Sequence, residues 1–152
     1  MSAEILRSPG DDCIRQFSIF ADNKVGRLND IIMMLAQHNI HILSICTVDT
    51  TDSAILRLIP DYWEDAKKLF EEQGLAFSLN EVMVVEFDSE KDIRNVTCAL
   101  TQTEINIHYT YPMLMRPQGK CGLVLHLEDN DMATDILSSS GIKVLKLSDL
   151  AR

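Results

Sequence analysis

"LAFSLNEVMVVEF", Leu75 to Phe87, is a strand-like stretch of thirteen residues, about twice the usual length of roughly five or six. Its meaning emerges from what lies on either side. Upstream, "CIRQFSIFA" (Cys13 to Ala21) alternates as a strand, and "RLNDIIMMLAQHN" (Arg27 to Asn39) sets Leu28, Ile31, Ile32 and Leu35 on one helical face. "IHILSICTVD" (Ile40 to Asp49) and "SAILRLIP" (Ser53 to Pro60) are β-rich runs close enough to form a hairpin. "DYWEDAKKLFEEQG" then opens at Asp61 as an N-cap, carries Trp63, Ala66, Leu69 and Phe70 on one side, and stops at Gly74. The order is β-α-β-β-α-β, and its last strand is the long stretch.

Downstream the same order begins again, from "VMVVEF" through a helical "EKDIRNVTCALTQTE", strands "INIHYTYPM" and "KCGLVLHLE", a helical "DNDMATDILSSS" and "GIKVLKL". The long stretch therefore carries the last strand of one unit and the first of the next. The predicted fold class is α+β: two ferredoxin-like β-α-β-β-α-β units, over residues 13–80 and 81–148, with antiparallel sheets and helices on one face. Residue register supports duplication. "NIH" at Asn39 to His41 recurs at Asn106 to His108, an offset of 67 that also relates Ala66 to Ala133, Leu69 to Ile136, Phe70 to Leu137 and Gly74 to Gly141.

With 46% hydrophobic residues in 152 the chain can build a real core, and its formal charge of -9 disfavours phosphate backbones and anionic lipid surfaces. Neither nucleic acid nor a membrane is an expected partner. The amino-terminal "MSAEILRSPGDDC" has no apolar secretory region and no run reaches the roughly 18 residues of a membrane span, which predicts a cytoplasmic protein. Cys13, Cys46, Cys98 and Cys121 are widely spaced, without a CxxC pair, and read as free thiols; Cys46 and Cys98 lie in apolar surroundings and are expected in the core. His38, His41, His108 and His126 show no metal-ligand spacing, and no nucleophile elbow, phosphate loop or dinucleotide fingerprint is present. No metal or cofactor is expected. Met33, Met34, Met83, Met113 and Met115 read as core or interface fillers.

Chemistry concentrates in "FADNKVGRL", Phe20 to Leu28, between the first strand and the first helix. The amides that open a helix are unpaired and carry partial positive charge, which suits a carboxylate. Gly26 permits a tight turn and close backbone approach, while Asp22 and Asn23 offer acceptors to an ammonium group. The same residues are also ordinary turn chemistry. On a strand of the second half, His108, Tyr109 and Tyr111 offer rings and hydrogen bonds. Period-two spacing puts the two tyrosines on one face and His108 on the other, and packing between units is an equal reading. His41 touches a ligand or ties down a strand end.

"FADNKVGRLNDIIMMLAQHNIHILSI" resembles the opening of an ACT domain: a strand, an Asp-x-x-x-Gly-x-Leu loop, an amphipathic helix and Asn-Ile before the second strand, filled here by Asp22, Gly26, Leu28, Asn39 and Ile40. The resemblance spans nearly the whole chain as two tandem units. It implies a regulatory module that binds an amino acid between paired domains, through Asp22, Asn23, Lys24, Val25, Gly26, Arg27 and Leu28, with His108, Tyr109 and Tyr111 as a facing wall. Two departures stand out. Val25 occupies a position often held by proline, and in "FDSEKDIRNV" Asp88 survives but Asp92 or Ile93 stands where the glycine should be. The second loop is therefore not expected to bind in the same way.

The reading is a non-catalytic, self-associating regulatory protein, a homodimer, whose amino-acid occupancy reaches a metabolic enzyme or regulator in trans. The small regulatory subunit of an enzyme such as acetolactate synthase is an alternative within this class. An enzyme using a Cys or His site is the alternative from another class, and an interaction module without a small ligand is a third.

Overall fold

A computed structural model describes residues 12–22, 25–51, 53–116 and 119–150. In chain order these form β1 (Ile14–Asp22), α1 (Arg27–Gln37), β2 (Ile42–Asp49), β3 (Ser53–Pro60), α2 (Trp63–Glu72), β4 (Ala76–Phe87), α3 (Glu90–Gln102), β5 (Ile107–Pro112), β6 (Cys121–Leu127), α4 (Asn130–Ser139), β7 (Val144–Leu145) and α5 (Leu147–Leu150). This is the β-α-β-β-α-β order twice over. The long stretch is one continuous strand, β4, so the sheet has seven strands where two separate units would have eight.

β4 changes neighbours along its length. Ala76 to Val82 pair with β1, Met83 to Phe87 with β6, and Val84 and Val85 with β7. The path β2-β3-β1-β4-β6-β5 curls until its ends touch: the Leu114 N–H donates to the Leu43 carbonyl at 3.0 Å, and Ser44 Oγ donates to the Pro112 carbonyl at 2.7 Å. Those bonds occupy polar groups at the two edge strands, which otherwise invite pairing with another chain.

Alternation along the strands assigns each face. On β1, Phe17 and Ile19 point to the face covered by α1 and α2, where Phe17, Phe70 and Phe77 meet edge to face at 5.1 to 6.0 Å. On β4, Phe77 and Leu79 belong to that layer while Met83 and Val85 pack with α3 and α4. The even-numbered Val82 and Val84 face inward, to a third core between the two halves that includes Ile14, Leu43, Ile59, Val124 and Leu145. Gly122 lies in this interior because a Cβ there would fall 2.9 Å from Met113 Cγ and 3.3 Å from Val84 Cγ1.

The duplication is visible in how the helices stop. Each of the four long helices ends in a bond reaching back over its last turn, to Leu35, Phe70, Leu100 and Leu137 from Ile40, Leu75, Ile105 and Ile142. The left-handed residue before each is Asn39, Gly74, Glu104 and Gly141. Gly74 and Gly141 keep the offset of 67, and Ala66 and Ala133 are both fully buried. Asn39 is equivalent to Glu104, an offset of 65, so the repeated "NIH" is out of structural register by two residues.

Other expectations change locally. Cys98 is exposed, because the helical period gives the core face of α3 to Val96, Ala99 and Leu100. Cys46 is half-buried against the interior core. Asp61 stands one residue before the N-cap, Tyr62. "GIKVLKL" contributes only the two-residue β7, after which Leu147 and Leu150 turn into the interior core on α5.

Candidate functional site

The polar turn leaves β1 at Asp22 and enters α1 at Arg27. Asn23 and Lys24 lie outside the described residues. Gly26 is the N-cap, at φ 87° and ψ -8°, a left-handed conformation that a Cβ would strain even though the space beside it is open. Its carbonyl accepts the first helical bond, from the Asp30 N–H at 2.9 Å. No side chain caps α1 among the described residues, so its first-turn amides offer donors and partial positive charge. Val25 is fully exposed.

A cavity of about 260 Å³ adjoins this helix start, under α1 and against the β2–β3 hairpin. Asp22, Arg27, Thr47 and Asp49 provide its polar lining; Leu28, Ile31 and Leu56 provide much of the apolar part. Arg27 binds Asp22 through Nε at 3.1 Å and Nη2 at 3.0 Å. The volume is a little below the roughly 300 Å³ lower end of drug-sized pockets, a scale suited to a free amino acid. Carboxylates, one guanidinium, a hydroxyl and a helix start surround an apolar floor, so the arrangement has donors for an anionic group, acceptors for a cationic one, and a surface for an aliphatic body. Thr47 and Asp49 carry no motif; they become visible as lining only once strand pairing sets Thr47 opposite Leu56 and Asp49 opposite Ala54.

The structure does not bring His108, Tyr109 or Tyr111 to this cavity within one chain. Tyr109 and Tyr111 point into the interior between the two halves, stacked at 6.3 Å. Gln16, fully buried on β1, bridges them: its Nε2 donates to Tyr109 Oη at 2.6 Å, and its Oε1 accepts from Tyr111 Oη at 2.5 Å. Arg57 lies 3.7 Å from the Tyr109 ring centre, and the His126 ring stacks on Tyr109 at 4.7 Å. Burial, followed by Tyr109, pushes the Tyr111 hydroxyl well above the usual phenol range. Burial, with His108 and Arg57 behind it, holds His126 below the ordinary imidazole value. His108 is exposed, beside a register shift between Ile107 and Tyr109, with its ring 5.2 Å from His126.

The corresponding start in the second half is built differently. Ser89 is the N-cap of α3 and Asp92 the N3 residue of a capping box. The Asp92 carboxylate accepts from the Asp88 N–H at 2.8 Å and the Ser89 N–H at 3.4 Å. Among the described residues no group of His, Cys, Asp and Glu side chains is arranged to hold a metal, and no helix is long and apolar enough to cross a membrane.

The sequence pattern of a family described as ACT domain pair matches residues 12–152. No curated protein matches the chain in sequence. Among solved structures, protein BT0572 from Bacteroides thetaiotaomicron superposes with a TM-score of 0.83 at 25% identity, covering 93% of this chain and 97% of that one. The regulatory subunit of aspartate kinase from Thermus thermophilus, in a ligand-free form, superposes at 0.62 with 12% identity, covering 86% and 94%. The corresponding subunit from Thermus flavus gives 0.61 at 13% identity, covering 86% and 92%. These two likenesses show the fold.

Proposed function

This chain belongs to the ACT domain pair family, a regulatory fold, and from that premise we propose that it is a non-catalytic regulator binding a free amino acid beside the Gly26 turn. The observation that carries the reading is the α1 start, held open by a left-handed glycine and adjoining a cavity with both carboxylate and guanidinium groups. The ligand carboxylate faces the first-turn amides and Arg27, its ammonium group faces Asp22 and Asp49, and its side chain lies on Leu28, Ile31 and Leu56. Among the described residues the α1 start has this geometry and the corresponding α3 start does not, so the chain binds through the first of the two.

Occupancy acts by linkage, favouring one packing of chains, to which a metabolic enzyme or regulator responds in trans. Self-association as a homodimer is part of the reading. Phe20, Leu28 and Met33 are 48%, 43% and 49% exposed in or near this part of the chain, apolar surface that a second copy would cover. Thermal unfolding against the twenty amino acids, followed by calorimetry of each hit, tests the proposal. Ligand at about 100 times its dissociation constant adds roughly 2.7 kcal/mol, so a selective rise is expected for one amino acid or a chemically related few. A transition that none of the twenty moves would refute it.

A further inference from the structure

We infer a second small-molecule site, for an aliphatic primary amine, in the cavity of about 280 Å³ where the first half meets the carboxyl-terminal segment. Leu43, Met115 and Leu150 give it apolar walls from β2, the chain after β5 and α5. His41, Ile42, Asp61 and Tyr62 complete the described lining, and no lysine or arginine is among these residues. This inference does not depend on the amino-acid reading of the Gly26 cavity.

The chemistry follows from how His41 is held. Its Nδ1 is 2.9 Å from Asp61 Oδ2, while Asp61 Oδ1 accepts the His41 N–H at 2.8 Å and the Tyr62 N–H at 2.9 Å. The Asp61 N–H donates to the His41 carbonyl at 3.0 Å, closing the clamp from the backbone side. An ionised carboxylate only accepts, so in the neutral ring Nδ1 carries the proton and Nε2 is the acceptor presented outward. The His41 side chain is 77% exposed, so this pairing orients a reachable ring.

Charge selects among ligands with donors. Asp61 lies directly behind the ring, and the first turn of α2 adds Glu64 and Asp65. The Tyr62 N–H at this helix start already has a carboxylate partner. An anion is repelled, whereas an ammonium group donates to Nε2 within an acidic field and its hydrocarbon lies on the apolar wall. On the reading proposed above, the Gly26 cavity takes both charged ends of an amino acid; this one accepts the amine and rejects the acid. Since its walls come from both halves, occupancy favours the curled packing that brings them together.

The test uses full-length protein with ¹³C-methyl methionine and ¹⁵N-histidine labels, titrated with 3-methylbutylamine, 3-methylbutan-1-ol and 3-methylbutanoate. The amine is expected to shift the Met115 methyl and His41 Nε2 signals saturably, the alcohol to do so more weakly, and the carboxylate not at all. His41→Leu should weaken the amine about tenfold or more; because it also removes the Asp61 partner at Nδ1, a cooperative thermal transition is required alongside to show that the variant is folded. Gly26→Val should leave this titration unchanged. A carboxylate that binds as well as the amine, silent Met115 and His41 signals throughout, unchanged amine binding in His41→Leu, or loss of it in Gly26→Val would each overturn the inference.

Discussion

The helices α1 and α3 occupy the same place in two copies of one fold, yet they begin in opposite ways. α1 starts from a left-handed glycine with no side-chain cap among the described residues, next to a cavity. α3 starts from Ser89 with Asp92 folded back onto the preceding amides. The capping box ties the α3 start to itself, whereas the α1 start has no such box and leaves its first-turn amides without a side-chain cap among the described residues. Duplication supplied two frames, and the choice of four or five residues at the helix start separates an open start beside a cavity from one tied back on itself.

The contrast is broken most severely by Gly26→Val. A β-branched side chain at φ 87° costs about 1–2 kcal/mol of backbone strain, and the distorted start should abolish amino-acid binding; equal proportional losses of stability and affinity would leave the glycine a turn residue only. Tyr111→Phe removes the donor to the buried Gln16 carbonyl oxygen. It should cost about 1–3 kcal/mol in chemical denaturation with amino-acid affinity unchanged, because the tyrosine serves the interior. Asp92→Ala opens the second helix start and should cost about 1 kcal/mol, again without altering affinity in calorimetry.

The smallest effect is a pH dependence. His126 titrates below its ordinary value of 6.5 in the folded chain, so folding favours the neutral ring. That contribution is complete above the ordinary value and is lost as pH falls from there through the depressed folded value. Thermal midpoints should therefore decline through this acid window, and His126→Gln should flatten the decline. An unchanged slope in the variant would assign the dependence to other groups.

The fold was legible because its signals are periodic. Alternation in β1, the helical stripe of Ile31 and Leu35, and the terminating Gly74 and Gly141 are local features that tertiary packing did not reverse. The excess length of Leu75 to Phe87 gave the join between units, although not that a single strand would serve both sheets. The site was half legible. Asp22, Arg27 and Leu28 lie in one turn and line one cavity, but Thr47 and Asp49 reach it through hairpin register, which no spacing in the sequence encodes. Tyr109 and Tyr111 show the converse difficulty. A strand motif reveals that two rings share a face but not which surface covers that face, and here it is Gln16 and Arg57 from the other half.

The comparison between the two helix starts can be read at the backbone itself. Amide ¹⁵N–¹H shifts of Gly26 to Asn29 and of Glu90 to Ile93 would be followed in one titration with the amino acid that most raises the unfolding temperature, or with all twenty in turn. The account predicts saturable shifts in the first group, common to one binding curve, with the second group still. Shifts confined to the second group, or none in the first at any amino acid, would contradict it.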